Sequence, residues 1–212
     1  MLAARRIPNA SPALLAALEI PQGQPCLALV STDCDDATFI ALDEATKAAE
    51  VQVSLAVSMY AGAGNATTPH AGEALGILSA ATPGAAQSGL DAALAVLARL
   101  GFSAAGPVPF LAHTVSSCGS FLAREAGVAI GSALAYLIAP PLESMVALDA
   151  ALKAADVRLC KLYTPPTHTN FGGGLLTGTQ SACAAACAAF AQAVARVAAE
   201  PVEGPERRNH GI

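Results

Sequence analysis

The sequence predicts an α+β protein made of two tandem copies of one unit, in which an antiparallel sheet packs against flanking helices. The main observation is an internal repeat: ALDEATKAAEV at 41–51 returns as ALDAALKAADV at 147–157, with eight of the eleven residues identical. A match of this length indicates one supersecondary unit used twice. The composition agrees, because 54% of the residues are hydrophobic but only 4% are aromatic. Small apolar side chains predict thin, closely packed layers.

The first copy has the order strand, helix, strand, loop, strand, helix. We predict a strand at 26–31, a helix opened by Asp43, a strand from 51, a glycine-containing loop at 61–72, a strand at 73–80 and a helix at 85–100. Aspartate is preferred at the start of a helix because its carboxylate accepts hydrogen bonds from the free N–H groups of the first turn.

The second copy repeats this order. We predict an extra strand at 110–117, then a strand at 134–139, a helix opened by Asp149, a strand from 157, a loop at 164–174, a strand at 175–180 and a helix at 181–200. The predicted domains are therefore 1–101 and 102–202, followed by a disordered tail at 203–212. Three chains with two units each would complete a pseudo-six-fold ring, which is a closed symmetry of the usual kind.

Charge and hydropathy exclude several classes of protein. The net charge is −5 and no basic stripe is present, so nucleic acid is not an expected partner. The longest apolar run, 126–142, is short for a membrane helix and ends in Pro140-Pro141, which indicates a buried strand. No membrane or secretion segment is expected. The six cysteines are expected to be reduced thiols of a cytosolic protein.

The stretch STDCDDATF at 31–39 places Asp33, Asp35 and Asp36 within four positions. Carboxylates this close raise one another's pKa, so they need a cation, a metal or an open solvent face. Taken alone, the cluster is compatible with a hard-cation site or with a solvated turn that caps local backbone. A phosphatase-type aspartate nucleophile is disfavoured, because Thr38 is one position too late and no matching lysine motif follows.

Several long motifs resemble those of the bacterial microcompartment shell proteins, in particular the tandem shell proteins of ethanolamine utilisation. They include STDCDDATFIALDEATK, AGEALGIL, FLAHTVSSCGSFL, AYLIAPPLESMVALDAALKAADV and TNFGGGLLTGTQSACAAACAAF, and the likeness runs from about residue 12 to 200. The resemblance implies two circularly permuted BMC-type domains and a flat, pseudo-hexameric homotrimer. It also implies that the trimer tiles with other shell proteins around a compartment in the cytoplasm, and that a gated central pore passes metabolites or cofactors.

The resemblance further implies that ethanolamine binds in a smaller pore between the two halves of each subunit. Carried over residue by residue, the ligand contacts are Asp35, Asp36, Glu73, Phe102, Thr169, Asn170 and Phe171. This set suits the ligand, because carboxylates accept hydrogen bonds from an ammonium, neutral polar groups bind a hydroxyl and an aromatic ring attracts a cation. Relatives often have tyrosine at the position of Phe171, so a hydroxyl contact is lost here while the ring is kept.

The two glycine-containing loops are predicted to line the central pore, because glycine lets a loop adopt two conformations at low cost. The predicted pore-loop residues are Gly62, Gly64, His70, His168, Gly172, Gly173 and Gly174. The FGGG run lacks the G-K-[ST] ending of a phosphate-binding loop. His70 and His168 occupy equivalent positions and either bind zinc, respond to pH or are merely solvated; no metal site is assigned.

These observations predict a non-enzymatic shell tile without a cofactor. No serine, cysteine or histidine set shows the local pattern of a nucleophile with its base. Two alternatives stay open. One is a shell tile of a choline-type or propanediol-type microcompartment, and the other is an amino-alcohol-binding protein that does not assemble.

Overall fold

The computed structural model of the chain describes residues 1–59, 70, 72–165 and 167–202. The first half contains β1 (Ala3–Ile7), α1 (Pro12–Ala17), β2 (Cys26–Thr32), α2 (Asp35–Ala48), β3 (Val51–Ser58), β4 (Ala74–Ala80) and α3 (Pro83–Leu97). The second half contains β5 (Ser103–Ala105), β6 (Val108–Val115), α4 (Ser120–Ala126), β7 (Ala133–Ala139), α5 (Pro141–Ala154), β8 (Val157–Tyr163), β9 (Gly172–Gly178) and α6 (Gln180–Ala199). The predicted α+β class is confirmed.

Each half has its own antiparallel sheet, and the two sheets share one strand order. The order is β1-β2-β4-β3 in the first sheet and β5-β6-β7-β9-β8 in the second, so the two match once β5 is set aside. Even an irregularity is repeated. The register of β3 shifts between Val53 and Leu55, and that of β8 shifts between Leu159 and Lys161. The duplication read from the sequence therefore extends to the backbone geometry.

The sequence did not predict β1, α1, α4 or β5, which are short. β1 pairs with β2 as β6 pairs with β7. In both halves a short helix, α1 or α4, connects these two strands. The two sheets lie on either side of the predicted boundary between residues 101 and 102, which stays a prediction. The predicted tail at 203–212 lies outside the described residues.

Two helices begin earlier than predicted. α2 begins at Asp35 and α5 at Pro141, so the prediction that Asp43 and Asp149 open these helices is wrong. Proline is favoured at the start of α5 because the N–H that it lacks would have no partner there. Asp35 and Asp36 occupy the first turn of α2, where the positive end of the helix dipole favours carboxylates.

Asp43 instead joins the two halves of the chain. Its buried carboxylate accepts hydrogen bonds from the main-chain N–H groups of Gly119 at 2.7 Å and Leu122 at 2.8 Å. These two residues lie at the start of α4, whose N-cap residue, Gly119, has no side chain to cap the helix. The aspartate that was expected to cap its own helix therefore caps a helix of the other half.

The glycine run at 172–174 is also placed differently from the prediction. Gly172, Gly173 and Gly174 are not part of a loop but are the first three residues of β9, where they are buried and pair with β7 and β8. Glycine is needed here because β9 lies too close to β7 for a side chain to fit between them. A Cβ on Gly173, which has φ +151°, would lie 1.9 Å from the carbonyl oxygen of Leu137. The glycine run therefore allows β9 to pack closely against β7.

The largest hydrophobic cluster spans both halves, since it contains residues of α2 and α3 together with Phe121, Leu134 and Tyr136. A second cluster lies between the second sheet and the helices α5 and α6. α6 is long and apolar enough to cross a membrane by length and composition alone. In this fold its residues Cys183 and Phe190 are fully buried in that second cluster.

Candidate functional site

A cavity of about 290 Å³ lies where the two halves meet. Its walls come from the start of α2, the end of β3, the strands β7 and β8, and the segment before β9. The lining residues are Asp35, Asp36, Phe39, Ser58, Tyr136, Ile138, Tyr163, Thr167, His168, Thr169 and Phe171. The volume is at the small end of the range for ligand pockets, which indicates a small ligand.

The sharp connection from β2 to α2 positions the two aspartates. Thr32 at the end of β2 and Thr38 in α2 share a hydrogen bond of 2.5 Å between their hydroxyl groups, both of which are buried. Thr38 also donates to the carbonyl oxygen of Cys34 at 2.8 Å. These bonds fix the first turn of the helix, so that Asp35 and Asp36 point into the cavity while each side chain is more than nine-tenths buried.

Each of the two carboxylates accepts a hydrogen bond from a neutral hydroxyl group. Ser58 donates to Oδ2 of Asp35 at 2.6 Å, and Tyr136 donates to Oδ1 of Asp36 at 2.9 Å. Burial and the neighbouring Asp35 carboxylate raise the pKa of Asp36 well above its usual value. A positive charge in the cavity would relieve this unfavourable environment, because an opposite charge favours the ionised form.

Glu73 adds a third acid beside the cavity. It follows Gly72, and its main chain connects the end of β2 with the residue after β3. The N–H of Glu73 donates to the carbonyl oxygen of Thr32 at 2.6 Å, and its carbonyl oxygen accepts from the N–H of Met59 at 2.7 Å. Gly72 has φ +69°, and a Cβ there would lie 2.2 Å from the carbonyl oxygen of Thr32, so only glycine fits. Burial and the Asp35 carboxylate raise the pKa of Glu73 to about 7.

The segment before β9 closes the opposite wall. The Thr167 hydroxyl donates to the carbonyl oxygen of Phe171 at 2.8 Å, which closes a short turn. Asn170 takes the left-handed conformation in this turn, with φ +59°, and its side chain is exposed. The Phe171 ring meets the Phe102 ring edge to face, with centroids 5.2 Å apart.

The structure thus brings most of the predicted ligand residues together. Asp35, Asp36, Thr169 and Phe171 line the cavity, Glu73 adjoins it beside Asp35, and Phe102 supports Phe171 from behind. Asn170 is exposed and is not one of the lining residues; its left-handed backbone belongs to the turn before β9. As ligand contacts, all of these residues stay predictions.

The structure describes five of the seven predicted pore-loop residues, and their place at a pore stays a prediction. Gly62 and Gly64 lie outside the described residues. His70 is exposed, and its carbonyl oxygen accepts from Ser31 at 2.8 Å. His168 lines the cavity instead. Within the described parts of the chain, no three His, Cys, Asp or Glu side chains are grouped so that they could hold a metal ion.

Sequence reasoning missed several residues of the cavity, among them Tyr136, Ser58, Phe39 and Tyr163. Tyr136 and Asp36 are 100 positions apart, and no local pattern connects them. The internal repeat does carry one further piece of information. With an offset of 106 residues, the positions of Asp35 and Asp36 are occupied in the second copy by Pro141 and Leu142. The acidic site is therefore present once per chain and not twice.

Comparison with known proteins agrees with this fold. No protein-family model matches the chain. The bacterial microcompartment shell protein EutL of Clostridium perfringens (strain 13 / Type A) is 53% identical over 206 residues, which cover 95% of each chain. The crystal structure of the ethanolamine utilization protein EutL from Leptotrichia buccalis matches with a TM-score of 0.93 and 51% identity, over 96% of this chain and 95% of that one.

A more distant structure shares the fold alone. The trimeric bacterial microcompartment shell protein PduB matches with a TM-score of 0.77 at 21% identity, over 95% of this chain and 90% of that one. The close relatives are structural shell proteins and not enzymes, which confirms the prediction of a non-enzymatic protein. With 53% identity along nearly its whole length, the chain belongs to the EutL family of bacterial microcompartment shell proteins.

Proposed function

We propose that the chain forms a trimeric shell tile with a gated central pore, and that the cavity between its halves binds ethanolamine. The observation that carries the ligand assignment is a pair of buried carboxylates, Asp35 and Asp36, in a small cavity walled by aromatic rings. This combination suits a small organic cation. The relative from Leptotrichia buccalis is described as an ethanolamine utilization protein, which supports the same ligand.

The ammonium group would lie at the acidic end of the cavity. Tyr136 donates to Oδ1 of Asp36, and the neighbouring Asp35 places a second carboxyl group at this end of the cavity. Carboxylates accept charge-assisted hydrogen bonds from an ammonium group, and these are stronger than hydrogen bonds between neutral groups. The rings of Phe39, Tyr163 and Phe171 stand around the same space, and an aromatic face attracts a cation.

The hydroxyl group of ethanolamine would lie at the opposite, neutral end. Thr167, His168 and Thr169 line this side of the cavity, and they offer groups that both donate and accept hydrogen bonds. Ligand contacts here would act on the segment that leads into β9. A ligand can favour one state of a gate only if it binds that state more tightly. Contacts between the ligand and residues 167–171 that form in one state of the gate would provide this difference in affinity.

Binding is expected to release protons and to strengthen as the pH rises from 6 to 8. The pKa of Glu73 is about 7 in the empty site, with burial as the main cause and Asp35 as the second. Below that pH this acid is largely protonated, whereas a bound cation favours its ionised form. The ligand must then displace a proton, and affinity falls by up to about tenfold for each pH unit below 7. Calorimetry in two buffers with different ionisation enthalpies measures the protons released.

Two other ligands serve as controls in the same experiment. Choline carries a positive charge but has no N–H groups to donate to the carboxylates, and propanediol carries no charge. The expected order of affinity is therefore ethanolamine first, choline second and propanediol last. An equal affinity for propanediol, or binding of ethanolamine that does not depend on pH, would contradict the acidic site.

A further inference from the structure

A second cavity, of about 200 Å³, adjoins the first, and the function proposed above does not use it. The two cavities share Phe39, Tyr136 and Tyr163 as lining residues, so these three aromatic side chains stand between the two spaces. The other walls of the second cavity come from β3, α4 and β8, so both halves of the chain contribute. The volume is below that of most ligand pockets, which restricts an occupant to a few heavy atoms.

The second cavity carries a net positive charge, whereas the first is lined by the acids Asp35 and Asp36. The charged side chains of the second cavity are Arg124, Glu125 and Lys161. Lys161 donates to Oε2 of Glu125 at 2.6 Å, and the two side chains are 38% and 33% exposed. Because this pair is neutral as a whole, Arg124 leaves the cavity with one positive charge.

The guanidinium group of Arg124 is held by an aromatic ring and not by an acid. Its central carbon lies 5.7 Å from the centroid of the Phe121 ring, in the same helix. Among the residues that the structure describes, no carboxylate forms an ion pair with it. Arg124 is exposed, so a solute can reach it from the solvent. A guanidinium group offers two parallel N–H donors that match the two oxygens of a carboxylate.

Apolar side chains line another part of the cavity. They include Val53 and Leu55 of β3 and Leu122 of α4, and Leu122 is only 1% exposed. A hydrated inorganic anion gains nothing from such a surface, whereas a short alkyl chain is removed from water there. Together with the single positive charge, this surface favours a small organic anion that has one carboxylate and a short alkyl chain.

The internal repeat indicates that the fold itself does not require these charges. α1 and α4 each begin five residues after the preceding strand ends, which matches Arg124 and Glu125 with the alanines of α1 at positions 16 and 17. Leu55 and Lys161 correspond in the same way, because each follows the register shift of its strand. The charged set is therefore present once per chain, as the acidic pair of the first cavity is.

We propose that the second cavity binds a small monocarboxylate, with its carboxylate on the guanidinium group of Arg124 and its alkyl chain against Val53 and Leu122. Glu125 neutralises Lys161, so the cavity presents one positive charge and not two. This favours singly charged anions over doubly charged ones. The ligand class is that of the short-chain acids, for which propionate is the probe. The site is separate from the proposed ethanolamine site and does not rest on it.

The first test compares three probes by saturation-transfer NMR at constant ionic strength. Propionate should bind, and propionamide, which has the same size but no charge, should bind at least about tenfold more weakly. Inorganic phosphate, which has no alkyl chain, should displace propionate only poorly. Equal binding of propionamide would overturn the role of the positive charge, and phosphate that binds as tightly as propionate would overturn the assignment to monocarboxylates.

The second test uses two substitutions that should change the affinity for propionate in opposite directions. Arg124→Gln removes the unpaired cation and should weaken binding by at least about tenfold. Glu125→Gln frees Lys161 to attract the carboxylate and should strengthen binding by about threefold or more. A purely structural role of these side chains would not strengthen binding in either variant. Both side chains are at least partly exposed, so the variants are expected to fold.

Arg196→Gln is the matched control for the loss of a positive charge. Arg196 is an exposed arginine in the last turn of α6, and it does not line the second cavity. Its replacement should leave the affinity for propionate within about twofold of the native value, because exposed charges that do not contact the ligand contribute little.

Three results would overturn the proposed site. They are an unaltered chain that does not bind propionate, an equal loss of affinity in the Arg124→Gln and Arg196→Gln chains, and weaker binding in the Glu125→Gln chain. None of these measurements involves ethanolamine. Their failure would therefore leave the proposed function intact, and a chain that binds propionate but not ethanolamine would overturn only the proposed function.

Discussion

Replacement of Asp36 by asparagine and Glu73 by glutamine is expected to weaken ethanolamine binding by at least about 100-fold. Each change removes a negative charge beside the proposed ammonium position, and a hydrogen bond to a charged group contributes roughly 1.5–3 kcal/mol. Asparagine keeps the oxygen that accepts from Tyr136 at 2.9 Å in the native chain, so the fold should be retained. Isothermal titration calorimetry at pH 8, where both acids would be ionised with ligand bound, measures the loss.

Asp33→Asn is the matched control for this experiment. Asp33 belongs to the same acidic stretch, but it does not line the cavity and pairs with the N-terminal amine at 3.5 Å, with 59% of its side chain exposed. The variant removes one negative charge from the same stretch, and its affinity should remain within about twofold of the native value because exposed ion pairs contribute little. An unchanged affinity of the double variant would overturn the assignment of the ligand site.

Replacement of Gly173 by alanine should lower the free energy of unfolding by roughly 4 kcal/mol, as the combined cost of overpacking and backbone strain. The added methyl group would lie 1.9 Å from the carbonyl oxygen of Leu137, and Gly173 has φ +151°. Because β7 and β9 are neighbours in the middle of the second sheet, they cannot separate locally without loss of the sheet. Thermal unfolding at a fixed protein concentration should show a decrease in Tm of roughly 8–16 °C.

Gly84→Ala provides the comparison for the glycine prediction. Gly84 lies in the first turn of α3, and no atom would come within 4 Å of the added Cβ. Alanine is the better helix former, so this variant should be neutral or slightly more stable. A Gly173→Ala chain as stable as the Gly84→Ala chain would show that the glycine run is not required for strand packing.

The fold was predictable in large part because it is used twice. The repeat at 41–51 and 147–157, with apolar strands before and after each copy, identified β2, β3, β4 and their counterparts in the second half. The short elements α1 and α4 were missed because they carry few residues and no clear period. Asp43 was misread since its partners, Gly119 and Leu122, are far away in the sequence.

The candidate site was predictable only where a motif is local. Asp35 and Asp36 are adjacent in the sequence and stay adjacent in the cavity. Tyr136 gave no signal, because its contact with Asp36 depends on how the two halves pack. The glycine run was interpreted as a mobile loop, whereas its residues allow β9 to approach β7. Glycine permits both, and only the tertiary structure decides which applies.

The most direct test of the proposed function is native mass spectrometry of the purified chain titrated with ethanolamine. We expect a trimer that binds up to three ligands, because each chain has one acidic cavity and the second copy has Pro141 and Leu142 in place of the two aspartates. A trimer without bound ethanolamine would contradict the ligand assignment, and a monomer under gentle conditions would contradict the proposed shell tile.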